Sequence, residues 1–239
     1  RDLGDVVFFC GAGVSRSRAN LPDFRDLANR VINDLGSAQD SAARVNAAQS
    51  TGMAVDRVFR LREREFEAGE VREAVARHLD AGAAPDLAAH RTLLDLSTSR
   101  SGVTRLVTTN FDTLFEQSRA GLAWSAPPRL PDPHNDLDFR GVVHIHGRIG
   151  QDGGAPPELV LSSADFGRAY MSDGWATRFI RRLLERFQVV FVGYSAEDPP
   201  VQYLLEALDL PAGARKKLYT LENADDGEAV ALWEHKGVE

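Results

Sequence analysis

The sequence contains only one cysteine, Cys10, and this scarcity narrows the kinds of protein it can encode. A single thiol excludes a disulfide framework within the chain and a cysteine-rich zinc site. Cys10 lies at the end of a short apolar run, and a protein without disulfides suits a reducing compartment. We therefore expect a cytoplasmic protein.

Long apolar runs and an excess of positive charge are also missing. No segment approaches the roughly 20 apolar residues of a membrane-spanning helix, and no basic segment followed by an apolar one begins the sequence. The 239 residues carry a formal net charge of -7, which offers no positive field to attract a polyanion. Neither a membrane nor a nucleic acid is therefore expected as a direct partner.

The patterns that are present predict an α/β protein. Continuous apolar runs predict buried strands at 5–10, 105–108, 142–146, 159–161, 188–192 and 217–221. Apolar residues at helical spacing predict helices at 24–35 and 175–187, and residues 37–100 predict a helical insertion. We expect a Rossmann-like, doubly wound and mostly parallel sheet with that insertion. Residues 1–239 are interpreted as one domain cut from a longer polypeptide.

Four polar segments each follow a predicted strand. In a doubly wound sheet the carboxyl ends of the strands converge on one crevice, and nucleotides bind in that crevice. We therefore expect these segments to line one site. They are residues 11–15 (GAGVS), 108–112 (TTNFD), 144–147 (HIHG) and 193–195 (GYS).

The first segment has the glycines of a phosphate-binding turn. Gly11 and Gly13 lack side chains, so their backbone N–H groups can approach a pyrophosphate at the positive end of a helix dipole. The third glycine of the dinucleotide fingerprint is replaced by Arg16, and no second strand follows promptly, which disfavours an ordinary dehydrogenase. A tight turn without a ligand is the structural alternative.

Asn110 and Asp112 are candidate ligands for ribose hydroxyl groups or for a water molecule. Asn and Asp also favour turns and helix N-termini, so local capping is an equal rival for Asp112. Asn110 is the better catalytic candidate.

The two histidines of the third segment alternate with Ile145, so both imidazoles are expected on one face of the strand. No third-ligand pattern accompanies them, and we expect no metal. Imidazole exchanges protons near neutral pH. We expect His146 to reach furthest into the crevice and His144 to support or pack behind it.

In this order, residues 11–15, 21–25 (LPDFR), 108–112, 146–147 and 193–195 resemble the sirtuin (silent information regulator) family over nearly the whole chain. The resemblance implies NAD binding, with Asn110, Asp112 and His146 around the nicotinamide ribose. The further NAD contacts that it implies are Gly11, Ala12, Gly13, Ser15, Asp23, Phe24, Gly193 and Ser195. Phe24 also fits the apolar face of the helix predicted at 24–35.

The chain departs from the deacylase branch of that family. It lacks the four zinc-binding cysteines and the Phe-Gly-Glu segment that pairs with an acyl-lysine peptide. Residues 159–166 (LVLSSADF), 191–198 (FVGYSAED) and 90–94 (HRTLL) instead resemble prokaryotic sirtuin-like domains of defence proteins. Within these segments we interpret His90 as structural, Asp165 as a helix cap and Phe166 as a core residue.

The resemblance to that branch implies an NAD+ glycohydrolase that cleaves NAD to nicotinamide and ADP-ribose. It further implies an NAD-depleting effector against phages or plasmids, restrained by homo-oligomerisation or by a fused or companion sensing domain. Three alternatives stay open: a lysine deacylase without its zinc module, an ADP-ribosyltransferase, and an NAD or ADP-ribose sensor without turnover. The presence of both Asn110 and His146 disfavours the sensor, because binding alone needs no proton acceptor.

Overall fold

The computed structural model describes residues 4–35, 54–150, 158–194 and 218–221, together with Gly227, Ala231, Trp233 and Val238. Its sheet has six strands in the order β3-β4-β2-β1-β5-β6, and every neighbouring pair is parallel. The prediction of a Rossmann-like parallel sheet is therefore confirmed. The strands are β1 (Val6–Cys10), β2 (Arg105–Thr108), β3 (Trp124–Ser125), β4 (Gly141–His144), β5 (Gln188–Val192) and β6 (Leu218–Leu221).

The described helices lie between these strands in the chain. They are α1 (Ala12–Ala19), α2 (Phe24–Asp34), α3 (Val55–Glu65), α4 (Ala68–His78), α5 (Ala88–Leu96), α6 (Leu114–Ser118), α7 (Ser163–Gly167), a π-helical turn (Arg168–Ser172) and α8 (Trp175–Arg186). None of the described helices combines the length and the apolar character needed to cross a lipid bilayer.

Both faces of the sheet are covered by helices. Val107 and Val143 belong to the core beneath α7, the π-helical turn and α8, whereas Leu106 and Val142 belong to the core beneath α1, α5 and α6. Because successive strand residues point to opposite faces, a strand covered on both sides is apolar at every position. This explains why the strands appear in the sequence as continuous apolar runs.

Three helices form a module at the carboxyl edge of the sheet. Helices α2, α3 and α4 contribute Leu27, Phe59 and Val71 to one core cluster, which also contains Phe111 and Ile149 from the loops after β2 and β4. The described part of the predicted insertion contains α3, α4 and α5, and residues 36–53 lie outside the described ranges. Helix α5 packs against α1 and α6 on a face of the sheet instead of joining the module.

The strand predicted at 159–161 is wrong. These residues are buried but form no strand, and the N–H of Val160 donates to the carbonyl oxygen of His146 at 2.8 Å. The segment then enters α7 at Ser162, whose hydroxyl caps the helix with Asp165 as its partner. Its apolar character reflects burial between the module and the sheet, and a short apolar run does not distinguish that from a strand.

Two elements have no counterpart in the sequence patterns. Helix α1 directly follows Gly11, where only a turn was expected. Its C-cap residue is Asn20, which has the left-handed conformation with φ 55°. Its sequence, AGVSRSRA, has no apolar stripe. Strand β3 has two residues and pairs with the edge of β4. Neither is long or periodic enough to be predicted.

Candidate functional site

The first and last polar segments meet where the strand order reverses. β1 and β5 are neighbours, and the N–H of Gly13 donates to the carbonyl oxygen of Gly193 at 2.8 Å. A Cβ on Gly11 would lie 2.6 Å from that same oxygen, and a Cβ on Gly13 would lie 2.8 Å from the Cα of Gly193. These glycines therefore allow two turns to touch. Their predicted phosphate contacts stay a prediction, and Ser195 lies outside the described residues.

Helix α1 begins at this contact, and its N-terminus has no side-chain cap. Gly11 occupies the N-cap position and provides no side-chain hydrogen bond, and the first turn contains no acidic residue. Among the described residues, therefore, no side chain caps this helix end, whose first turn has the N–H of Gly13 bonded to the carbonyl oxygen of Gly193. Such an end stabilises a bound anionic group, and the backbone from Ala12 onward is the part that would meet it.

A buried polar cluster joins α1, α5 and the loop after β2. We call Ser15, His90, Asn110 and Asp112 the Asn110 cluster; each is at most 6% exposed. The hydroxyl of Ser15 donates to Oδ2 of Asp112 at 2.8 Å and accepts from Nδ2 of Asn110 at 3.0 Å. Nε2 of His90 lies 3.2 Å from the same hydroxyl. Two predicted catalytic residues and one predicted NAD contact are therefore brought together around one oxygen.

Two atoms of the cluster lack a partner. Oδ1 of Asn110 and Nδ1 of His90 are buried and make no hydrogen bond with any described residue. A buried acceptor left without a partner costs about 1–3 kcal/mol, and native proteins rarely retain one unless a water molecule or ligand completes it. Oδ1 of Asn110 is therefore a buried acceptor without a partner among the described residues.

The carboxylate of Asp112 makes the local capping bond and a contact with Ser15, and its contact with a ribose hydroxyl or a water molecule stays a prediction. Its Oδ1 accepts from the N–H of Leu114, the first residue of α6, at 3.1 Å, which is the local capping bond. Its Oδ2 accepts from Ser15. The side chain therefore fixes the start of α6 and holds the Asn110 cluster in place at the same time.

His144 supports Asn110 from behind. Its Nδ1 donates to the carbonyl oxygen of Asn110 at 3.0 Å, and its Nε2 lies 3.1 Å from Oε1 of Glu116. Nε of Arg148 donates to the same carboxylate at 2.7 Å. Burial raises the pKa of Glu116, but hydrogen bonding and charge from His144, with the hydrogen bond from Arg148, outweigh burial and hold that pKa at about 2. An ionised Glu116 thus anchors the loop that carries Asn110.

His146 occupies a different environment from His144. β4 ends at His144, so His146 lies in the following turn and faces α7 and the π-helical turn, whereas His144 faces α6. The expectation that both imidazoles share one face is therefore wrong, because the strand does not extend to His146. Nε2 of His146 lies 2.7 Å from the hydroxyl oxygen of Tyr170, and the Phe166 ring packs against the imidazole at 5.3 Å between centroids.

The surroundings of His146 keep the imidazole neutral. The side chain is 4% exposed, and burial lowers its pKa to about 3. The same burial makes the neutral imidazole a weak base, because its charged form is disfavoured. Its backbone connection to the Asn110 loop is close, since the N–H of Ile145 donates to the carbonyl oxygen of Thr108 at 2.9 Å.

Asp23 and Phe24 have local roles in the fold. Oδ1 of Asp23 accepts from the N–H of Asp26 at 2.8 Å and caps α2, while Oδ2 pairs with Arg16. The ring of Phe24 stacks on Phe59 at 5.3 Å. The structure accounts for both residues without a ligand, and their contacts with NAD stay a prediction.

Sequence reasoning found Asn110, Asp112 and His146 but missed several of their partners. Tyr170, Glu116 and Arg148 lie in no recognisable motif, and only tertiary packing brings them to the site. His90, which the sequence analysis interprets as structural, lies in the Asn110 cluster. The predicted roles of Asp165 as a cap and of Phe166 as a buried packing residue are confirmed.

Two comparisons with known proteins agree with this geometry. The sequence profile of the SIR2-like domain matches residues 104–239, more than half of the chain. A protein of Sinorhizobium fredii (strain NBRC 101917 / NGR234), described as uncharacterized protein y4cA, is 39% identical over 258 aligned residues. That alignment covers 99% of this chain and 21% of the relative, so the chain spans about a fifth of the relative's length. The chain therefore belongs to the SIR2-like domain family, whose members are in general NAD-dependent enzymes.

Proposed function

We propose that the chain is an NAD+ glycohydrolase that converts NAD and water to nicotinamide and ADP-ribose. The observation that carries the proposal is Oδ1 of Asn110, a buried acceptor without a described partner at the carboxyl edge of the sheet. In a doubly wound sheet this edge, next to the reversal of strand order, is where a nucleotide binds. A ribose hydroxyl or a bound water would satisfy the orphan atom.

The surrounding residues fit the rest of the substrate. The N-terminus of α1, which has no side-chain cap among the described residues, suits the diphosphate, with Ala12 nearest to it. Ser15 and Asp112 hold Asn110 in place, so the nicotinamide ribose would lie over the Asn110 cluster. The roles of Asp23, Phe24, Gly193 and Ser195 as further NAD contacts belong to the same proposal.

The reaction needs little acid catalysis because the leaving group is already cationic. The bond between the ribose C1′ and the nicotinamide nitrogen breaks, and its electron pair leaves with nicotinamide, which becomes neutral. A water oxygen bonds to C1′ and loses a proton, for which His146 is the proposed acceptor and from which the proton passes to solvent. Asn110 orients the ribose or the water, which is the positioning that such a reaction requires.

The first test is to incubate the full-length protein with NAD and to quantify nicotinamide and ADP-ribose by chromatography. We expect Asn110→Ala and His146→Ala each to reduce the rate by about 100-fold or more, the range for losing a positioned polar or acid–base group. Asn33→Ala and His134→Ala are the matched controls, because Asn33 is exposed on α2 and His134 lies against α8.

Other products would replace this proposal with an alternative. NAD binding without nicotinamide release would indicate a sensor, and ADP-ribose attached to protein would indicate a transferase. Nicotinamide release that depends on an acyl-lysine peptide would indicate a deacylase.

For the biological setting we propose an NAD-depleting effector in prokaryotic defence against phages or plasmids. Uncontrolled NAD consumption is lethal, so the activity would be restrained by homo-oligomerisation or by a sensing domain, for which the longer rhizobial relative leaves room. Expression of the full-length protein with a challenging phage should lower cellular NAD. The Asn110→Ala protein should leave NAD unchanged, and an equal fall in NAD with both proteins would contradict this setting.

A further inference from the structure

We propose that His144 is a positioning residue that carries both ring protons and uses them to connect the backbone carbonyl of Asn110 to the carboxylate of Glu116. The consequence for turnover rests on the proposed NAD chemistry, in which Asn110 orients the ribose or the water. From the sequence, His144 is expected only to support His146 or to pack behind it.

Both ring nitrogens of His144 face atoms that accept hydrogen bonds. Nδ1 lies 3.0 Å from the carbonyl oxygen of Asn110, and Nε2 lies 3.1 Å from Oε1 of Glu116. A carbonyl oxygen has no proton to donate, so Nδ1 is the donor in the first contact. A proton must also lie between Nε2 and Oε1, because two lone pairs that face each other at 3.1 Å in a buried site repel each other.

Arg148 decides which of the two groups holds that second proton. Nε of Arg148 donates to the same Oε1 at 2.7 Å, and a guanidinium beside a carboxyl group favours the ionised carboxylate. Glu116 is therefore the acceptor toward both neighbours, and the second proton is on Nε2 of His144. Arg148 also repels a positive charge on His144, so an imidazolium there depends on the ionised Glu116.

The three charged groups, which we call the Glu116 network, are shielded from solvent. His144 is fully buried, and the side chains of Glu116 and Arg148 are 6% and 5% exposed. The guanidinium of Arg148 lies over the ring of Trp124, 4.1 Å from its centroid. A buried charge that loses its partner is costly. Without the carboxylate of Glu116, His144 should therefore lose its second proton.

The second proton keeps Asn110 connected to the rest of the network. The N–H of Asn110 donates to Oγ1 of Thr108 at 3.0 Å, and its carbonyl oxygen accepts from His144, so both backbone polar groups of the residue are held. A neutral His144 has one proton to donate and would have to release either Asn110 or Glu116. The imidazolium thus holds the peptide group from which the Asn110 side chain enters the site.

The direct test is the protonation of His144 near pH 7, read from ¹⁵N NMR spectra of the full-length protein labelled at histidine. The ring signals that disappear in His144→Gln assign the residue. We expect two protonated ring nitrogens. A single protonated nitrogen would overturn the inference, and this readout requires neither NAD binding nor turnover.

Glu116→Gln tests the counter-charge at nearly constant shape. We expect the ring of His144 to have one protonated nitrogen in this variant near pH 7, because the charge of Arg148 is then uncompensated. Glu185→Gln is the matched control, since Glu185 lies 3.6 Å from the exposed His134. An imidazolium that persists at His144 without Glu116 would overturn the inference. If this variant does not fold, the spectrum of the wild-type protein still decides the protonation.

The kinetic consequence should be a loss in kcat. His144→Gln keeps an N–H donor for one of the two neighbours, and we expect kcat for nicotinamide release to fall by about tenfold with little change in KM, as for one hydrogen bond to a charged group. His134→Gln should leave both constants unchanged. Because Glu116→Gln interrupts the same connection, adding it to His144→Gln should have little further effect. A fall in kcat of less than about threefold, or additive losses, would overturn the inference.

The NMR spectra separate this inference from the proposed function. If the wild-type protein has the imidazolium but releases no nicotinamide, the glycohydrolase proposal fails while the connection between Asn110 and Glu116 stands. If the wild type releases nicotinamide and His144 has one protonated nitrogen, the positioning inference alone fails.

Discussion

The two halves of the candidate site are buried in opposite ways. The Asn110 cluster consists of four polar side chains that meet around the hydroxyl of Ser15. His146 instead lies among aromatic rings, with one hydroxyl, that of Tyr170, at its Nε2. We call His146, Phe166 and Tyr170 the His146 pocket.

The contrast shows two ways in which burial prepares a side chain for chemistry. In the Asn110 cluster, hydrogen bonds hold the groups around Ser15 and leave two buried atoms without a partner among the described residues, Oδ1 of Asn110 and Nδ1 of His90. In the His146 pocket, removal of water fixes the protonation state, because the charged form of the imidazole is disfavoured. Orientation is therefore controlled in one half of the site and charge in the other.

Asn110→Asp should have the most severe effect, because it removes the NH2 donor and places a second carboxylate beside Asp112. We expect nicotinamide release to fall by about 100- to 1000-fold, the range for loss of one preorganised polar group. Steady-state kinetics would measure this, with Asn33→Asp on the exposed face of α2 as the matched control. A loss of less than about threefold would show that the orientation of Asn110 is not critical.

The His146 pocket should make the fold sensitive to acid. His146 has a pKa of about 3 in the folded protein and an ordinary value of 6.5, so between these values the unfolded chain binds the extra proton. The contribution of His146 to the free energy of unfolding should therefore be fully present above about pH 6.5. It should fall as the pH drops, by up to about 1.4 kcal/mol per pH unit.

His146→Gln should reduce the pH dependence of the free energy of unfolding, which urea unfolding at pH values from about 5 to 6.5 would measure. Glu116 does not interfere in this range, since its pKa of about 2 in the fold and its ordinary value of 4.5 both lie below it. His90 contributes a slope of the same sign, so some pH dependence should persist in the variant. An unchanged slope would contradict the burial of a neutral His146.

Tyr170→Phe tests the single hydroxyl of the His146 pocket. Removing it leaves the imidazole without its 2.7 Å partner but keeps the aromatic wall. We expect kcat to fall by about tenfold or less, as for one hydrogen bond, with little change in the affinity for NAD. Tyr219→Phe, in the edge strand β6, is the control. A larger loss than for His146→Ala would assign Tyr170 the principal role instead.

Asp23→Ala should have the smallest effect on turnover, although Asp23 lies in the segment that resembles the sirtuin motif. Its carboxylate caps α2, so we expect a loss of about 1 kcal/mol in the free energy of unfolding. Chemical denaturation and the KM for NAD, measured together, separate the two roles. A raised KM at unchanged stability would favour an NAD contact at Asp23 over the cap.

Much of the fold was accessible from the sequence because its signals are local. Continuous apolar runs predict strands at 5–10, 105–108 and 188–192, and the structure has them at 6–10, 105–108 and 188–192. Periodicity and flanking residues predict α2 and α8. Predictions failed where a local pattern has two physical causes. Residues 159–161 are apolar because they are buried, and His146 alternates with His144 although the strand has already ended.

By itself, the sequence determined the α/β class, the order of the polar segments and the family, and it identified Asn110, Asp112 and His146 as the candidates for chemistry. These conclusions follow from residue type and spacing, which are known from the sequence alone. Only the tertiary structure decided which atoms of those residues are available. The orphan oxygen of Asn110, the contact of His90 with Ser15 and the water-poor surroundings of His146 depend on side chains contributed by separate elements, including α1, α5 and the π-helical turn. Hydrogen bonding and desolvation act between neighbours in space, and spacing along the chain does not encode them.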